Sequence, residues 1–218
     1  MIAMNKLMIS AIAAAGLSAC SQSASSDNQA AQTAATDEVV QDDMTNMAMN
    51  DTADPYSPAM MKMNQAMMSA EGANASETWG RKMIPHHQGA IDMSNALLEQ
   101  GGDEKFLAKA RKTSADMQKE IASLEGKLQA GVTAGNSTGP ANPFGPAMEK
   151  MHSAMMAAKG ATPGETWARK MIPHHQGAID MSDIILKQGG DPKILESARM
   201  TKDKQVKEIA DLQKMLGA

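Results

Sequence analysis

The stretch Trp79-Gly-Arg-Lys-Met-Ile-Pro-His-His-Gln-Gly-Ala-Ile-Asp-Met-Ser94 recurs as Trp167 to Ser182 with one change, Gly80 to Ala168. The offset of 88 residues holds without a gap from Pro58 and Pro146 to Leu128 and Leu216. Roughly six in ten aligned positions are identical, which marks an internal duplication rather than shared composition. Even the approach to each copy matches, Asp54-Pro-Tyr-Ser-Pro58 beside Asn142-Pro-Phe-Gly-Pro146.

Each copy reads as three helical segments, and no strand alternation is visible. The first is short, Pro58 to Ala70 and Pro146 to Ala158. The second starts near Ser76 or Pro163 and runs to the stop signals Gly101-Gly102 and Gly189-Gly190. Pro85 and Pro173 fall inside it and are expected to kink or restart it. The third starts at the N-cap candidates Asp103 and Asp191, with Pro192 at the favoured first helical position. A copy of about 70 residues buries only a thin core, so the two are expected to pack together. The expected fold is all-α: a four-helix bundle built from two tandem repeats, plus a short Met-rich helix per repeat.

On a wheel of 100° per residue, Trp79, Met83, His86, His87, Ala90, Met93, Ser94 and Leu97 share one face of about 140°. Asp92 falls opposite, toward solvent. The second copy repeats the face with Met171, His174, His175 and Met181. A lone His or Met on such a face is ordinary core. Two adjacent His between two Met, occurring twice, point instead to metal. Imidazole and thioether form a soft to borderline donor set that suits Cu(I), by extension Ag(I), with Cu(II) open through His. It suits Mg²⁺ and Ca²⁺ poorly. The short helices add Met63 and Met67 in one copy and Met151, His152 and Met155 in the other. That stripe reads equally well as a buried face, because Met fills gaps in cores. Met117, Met200 and Met215 read as ordinary helix residues, and Arg81, Lys82, Arg169 and Lys170 as a solvated face.

Composition frames these choices. The chain has 218 residues with 22 Met, one Cys and five aromatics (two Trp, one Tyr, two Phe). One Cys excludes a disulfide framework and a Cys-rich zinc or iron–sulfur site. So few aromatics argue against a base-stacking surface, and a net charge of −4 argues against nucleic acid as partner. Zinc-protease and di-iron carboxylate motifs are absent, and Ser94 with His87 is a weak nucleophile pair without an evident orienting acid. No catalytic activity is expected.

Residues 1–19 read as a signal peptide, with Lys6 before a short apolar run. That run ends in Leu17-Ser18-Ala19-Cys20, which resembles a bacterial lipobox and implies lipidation of Cys20. Multiple acyl chains anchor stably where one does not. Ser21, in place of an inner-membrane-retaining Asp, favours the outer membrane. Residues 20–54 are polar and acidic and read as a disordered tether. The remaining boundaries are 55–129 for the first repeat, 130–143 for a flexible linker and 144–218 for the second repeat.

The block Met-Ile-Pro-His-His-Gln-Gly-Ala-Ile-Asp-Met resembles the signature of the bacterial domain-of-unknown-function family numbered 305. A later Gln-x-x-Glu-Ile element of that family is matched by Gln205, Glu208 and Ile209. The first copy departs from it with Met117 in place of Gln. The resemblance implies a ferritin-like helical bundle, and for periplasmic members copper binding and copper resistance. The expected function is therefore a lipid-anchored, periplasm-facing copper-binding protein for sequestration, delivery or resistance, with Cu(I) favoured. Its expected partners are the metal ion, the membrane and other copper-handling proteins. The rival expectation is a structural or partner-binding helical lipoprotein whose Met/His face is only core. A copper-dependent oxidase ranks below both, since no substrate pocket is visible in the sequence.

Overall fold

The computed structural model describes residues 54–217. Cys20, the signal segment and nearly all of the acidic tether lie outside the described residues. Six helices follow in order: α1 Ser57–Ser69, α2 Ala75–Gln100, α3 Glu104–Gln129, α4 Gly145–Ala157, α5 Pro163–Gln188 and α6 Pro192–Leu216. The four long ones pack as two hairpins, α2 on α3 and α5 on α6, which meet mainly through α2 against α5. The result is the expected all-α four-helix bundle, with α1 and α4 laid against α2 and α5.

Local chemistry explains the ends. Asn74 Oδ1 accepts the Glu77 N–H at 3.0 Å while Glu77 Oε2 accepts the Ala73 N–H, a reciprocal cap two residues ahead of the expected start. Thr162 and Glu165 repeat the arrangement. Asp103 and Asp191 cap α3 and α6 as expected. Both long helices stop where Gly101 and Gly189 adopt φ of +74° and +81°, a turn that an L side chain resists. Pro85 and Pro173 do not divide their helices: α2 and α5 run through them as single elements.

The core is built largely of methionine. Eleven Met are buried beside Trp79, Trp167, Tyr56 and Phe144, so packing alone accounts for much of the excess. The short-helix stripe is buried as well. Met60, Met63 and Met67, then Met148, Met151 and Met155, are the faces by which α1 and α4 dock. Docking is close because α2 and α5 present glycine there. A Cβ added to Gly89 would stand 2.3 Å from Met63 Sδ, and one added to Gly177 the same distance from Met151 Sδ. Asp92 and Asp180 are half-buried rather than fully solvated. Each clips a short helix to a long one, Lys62 to Asp92 and Lys150 to Asp180, both at 2.8 Å.

Lys82 and Lys170 correct the expectation of a solvated basic face. Both are fully buried. Their ammonium groups donate to the Met67 and Met155 carbonyls at the C-terminal ends of α1 and α4, at 2.6 and 2.9 Å. A cation is favoured at that end of a helix, and the long stem buries well. Lys170 also pairs with Asp54 at 2.6 Å. Asn142 occupies the matching position before α4, and it turns to Glu71 instead. Lys82 has no ion pair among the described residues, and burial lowers its pKa against the opposing charge of Glu71.

The two copies dock within one chain. Tyr56 donates to the Pro163 carbonyl at 2.8 Å, and the Asp191 N–H donates to Ser76 Oγ at 2.9 Å. The segment read as a flexible linker is tied to the second copy. Thr133 donates twice to Asp191, Asn136 accepts from the Gly190 N–H, and Gln188 donates to Ser137 and to the Pro140 carbonyl.

Candidate functional site

Where α2 crosses α5 the duplication brings its own signature together. The rings of His86 and His174 lie 3.8 Å apart between centroids, tilted by 34°. Each Nε2 faces the other residue's backbone carbonyl, at 3.1 and 3.0 Å. A carbonyl only accepts, so each Nε2 carries the proton and each Nδ1 keeps its lone pair. Both Nδ1 atoms are buried without a partner. His87 and His175 flank the pair, their rings edge-on to His86 and His174 at 5.8 and 5.6 Å.

His87 and His175 each face a carboxylate from a third helix. His87 Nε2 lies 3.2 Å from Glu120 on α3, and His175 Nε2 lies 3.3 Å from Glu208 on α6. A carboxylate there favours a proton on Nε2, and both Nδ1 atoms are again without partner. Four fully buried imidazoles thus present four Nδ1 atoms without a partner. Cost attaches to such orphaned polar atoms unless something occupies them.

Burial keeps three of the four imidazoles, His86, His174 and His175, in the neutral form. Burial, then the neighbouring imidazoles, holds His86 well below its ordinary pKa. Burial drives His174 down to about 3. Burial, then His174 and Lys109, depresses His175. The two carboxylates have diverged. Burial pushes Glu120 up, but His87 and the Lys204 ammonium outweigh it and the group sits below the usual range. Glu208 is raised, by burial first. Lys204 pairs with Glu120 and reaches Asp116 at 3.7 Å.

Met83, Met93, Met171 and Met181 are fully buried on the same helices as the histidines. Met63 and Met151 abut Gly89 and Gly177, two residues beyond His87 and His175, while Met67 and Met155 are buried further along α1 and α4. His152 is different. It is partly exposed on α4, and burial lowers its pKa, but the ring contacts of the cluster do not include it. Among the described residues no three His, Cys, Asp or Glu side chains gather as a metal cage. A metal held here would have to draw on thioethers as well.

Sequence reasoning missed Glu120, Glu208 and Lys204 as members of the site. The signal was present in the Gln-x-x-Glu-Ile element, whose Gln205 is also fully buried with neither amide atom partnered. Met200, read as an ordinary helix residue, is 65% exposed and lines, with His87, a cleft of about 200 Å³ between α3 and α6.

Comparison with known proteins places this architecture. The chain matches a Domain of unknown function (DUF305) over residues 14–128 and again over 127–216. Among solved structures it is similar to a DUF305 fragment from Deinococcus radiodurans, at 21% identity and a TM-score of 0.51. The match covers 67% of this chain and 97% of that one. None of the curated proteins matches. The chain belongs to the DUF305 family and carries two copies of its domain in tandem.

Proposed function

We propose that the Met/His core between the two copies binds a soft monovalent metal ion, Cu(I) or its chemical analogue Ag(I), as cargo to be sequestered or passed on. One observation carries this reading: four buried imidazoles have Nδ1 atoms without a partner, on helices whose inward faces also carry the buried thioethers of Met83, Met93, Met171 and Met181. Imidazole with thioether is the donor set such an ion prefers. Neutral histidines suit it as well, since a protonated ring cannot ligate. The same reading takes Cys20 as a lipid anchor and the protein as facing the periplasm, where thiols oxidise and thioethers persist. No helix among the described residues is long and apolar enough to cross a membrane, so anchoring would fall to the lipid. No turnover is invoked.

A second reading rests on the reciprocal bonds of His86 and His174 to each other's carbonyls. They make the pair a structural clasp between copies, in a bundle that binds a partner and no metal. Anaerobic Cu(I) titration of the purified protein separates the two. The metal reading predicts saturable binding that His86→Ala with His87→Ala weakens without unfolding the chain. The clasp reading predicts no binding, and a large loss of stability in the same variant.

A further inference from the structure

The two His–carboxylate pairs are related by the duplication, yet their surroundings are not. Glu120 is 24% exposed and Glu208 only 7%. Beside His87 the cleft is bounded by Ser123 and Lys127 on α3 and by Ser197, Met200 and Lys204 on α6, with the Lys127 ammonium donating to Ser197 Oγ across it. Around His175 the positions matching Ser123, Ser197, Met200 and Lys204 are Asp211, Lys109, Lys112 and Asp116. These side chains bridge one another. Lys109, 12% exposed, reaches Asp211 at 3.3 Å, and Lys112 meets Asp116 at 2.5 Å. The charge of Lys109 bears on both His175 and Glu208.

From this the geometry points to a one-sided port: cargo metal enters and leaves the core through the His87 cleft, while the His175 side is sealed. The inference rests on the metal-binding reading above. The outermost group is the exposed Met200 thioether, a soft donor at the lip that needs no packing explanation. One helical turn further along α6, Lys204 closes the cleft by its ion pair with Glu120. Asp116, one turn before Glu120 on α3, is an alternative partner for Lys204 at 3.7 Å. The lysine can therefore swing aside and keep a carboxylate partner, leaving the Glu120 carboxylate to face His87 at 3.2 Å. Swinging aside uncovers the Glu120 carboxylate and the His87 ring behind it, a hard and a borderline donor that hand an incoming cation inward.

Exchanging the linings tests the port. Ser123→Asp with Ser197→Lys gives the first copy the lid of the second. Lys109→Ser with Asp211→Ser gives the second copy the opening of the first. Cu(I) transfer from a chromophoric chelator is followed anaerobically in the full-length protein. In parallel, diethyl pyrocarbonate labelling of each histidine is read by peptide mass spectrometry on metal-free protein. The lidded variant is expected to take up Cu(I) roughly tenfold more slowly at unchanged stoichiometry, because access falls while the ligands stay. In the wild type, His87 is expected to label ahead of His175. In the opened variant His175 is expected to approach the rate of His87, and that arm stands even if the lidded variant fails to fold. Equal labelling of His87 and His175 in the wild type, or unchanged uptake in a folded lidded variant, overturns the port. Failure of the wild type to bind Cu(I) at all instead overturns the functional reading beneath it.

Discussion

Replacing Gly89 by alanine asks directly whether α1 is held by close approach to the signature helix. The new Cβ would stand 2.3 Å from Met63 Sδ, 2.7 Å from its Cγ and 2.9 Å from its Cβ. Contact with the root of the side chain means that rotating Met63 cannot relieve it, so α1 itself must shift. Overpacking of this kind costs about 1–3 kcal/mol, and alanine returns roughly 0.5–1 kcal/mol of helix propensity. The net expectation is about 1–2 kcal/mol of destabilisation, or a melting point lower by roughly 2–8 °C for a body of this size. Gly80→Ala is the internal control. Its Cβ would meet the flexible ends of Leu128 at 3.2 Å and Ile194 at 3.6 Å, and the second copy already carries Ala168 there. That variant should match or slightly exceed the wild type. Thermal melts by circular dichroism suffice, together with a cycle against Met63→Ala, where coupling of about 1 kcal/mol is expected. A Gly89→Ala protein that melts at or above the wild type would refute the account of how the short helix docks.

Three further outcomes follow from the charges. Metal-free protein should lose stability steeply with acid. His174 titrates near 3 when folded against 6.5 ordinarily, and His86 and His175 are likewise depressed. Below about 6.5 the unfolded chain therefore binds protons that the native one refuses. Each such ring costs roughly 1.4 kcal/mol per pH unit until its folded pKa is reached. Urea midpoints at pH 7 and pH 5 check this, and equal midpoints contradict it. Lys170→Met should destabilise by about 3–5 kcal/mol, since it strands the buried Asp54 carboxylate and uncaps Met155; a melting point within a degree of wild type would argue otherwise. Glu208→Gln should cost less than Glu120→Gln in the same melts. Burial already pushes Glu208 toward its neutral form, whereas Glu120 is an ion-pair partner of Lys204.

What the chain reveals about itself without coordinates is mostly what repeats locally. The 88-residue duplication, the Gly-Gly stops and the Asp caps delimit six helices to within a residue or two, because caps and glycines act on neighbouring backbone. The shared face of Met83, His86, His87 and Met93 follows from helical period alone. Lys82 was misjudged although it falls about 20° from Met93 on the same wheel. Its burial is decided by the end of α1, 15 residues away in sequence, which no single-helix pattern contains. Glu120 and Glu208 belong to the site for a similar reason: each reaches its histidine from a different helix. The short-helix methionines were ambiguous because thioether serves packing and ligation alike. Close contact with Gly89 and Gly177 shows that Met63 and Met151 do pack, and packing of this kind leaves their role as ligands a separate question of metal binding.

The most direct test of the central claim is X-ray absorption on Cu(I) bound anaerobically to the purified full-length protein. The account predicts a coordination sphere of imidazole nitrogen together with thioether sulfur, with the nitrogen signal lost when His86, His87, His174 and His175 are replaced. A protein that takes up no Cu(I), or one whose bound Cu(I) shows no imidazole nitrogen, would contradict it.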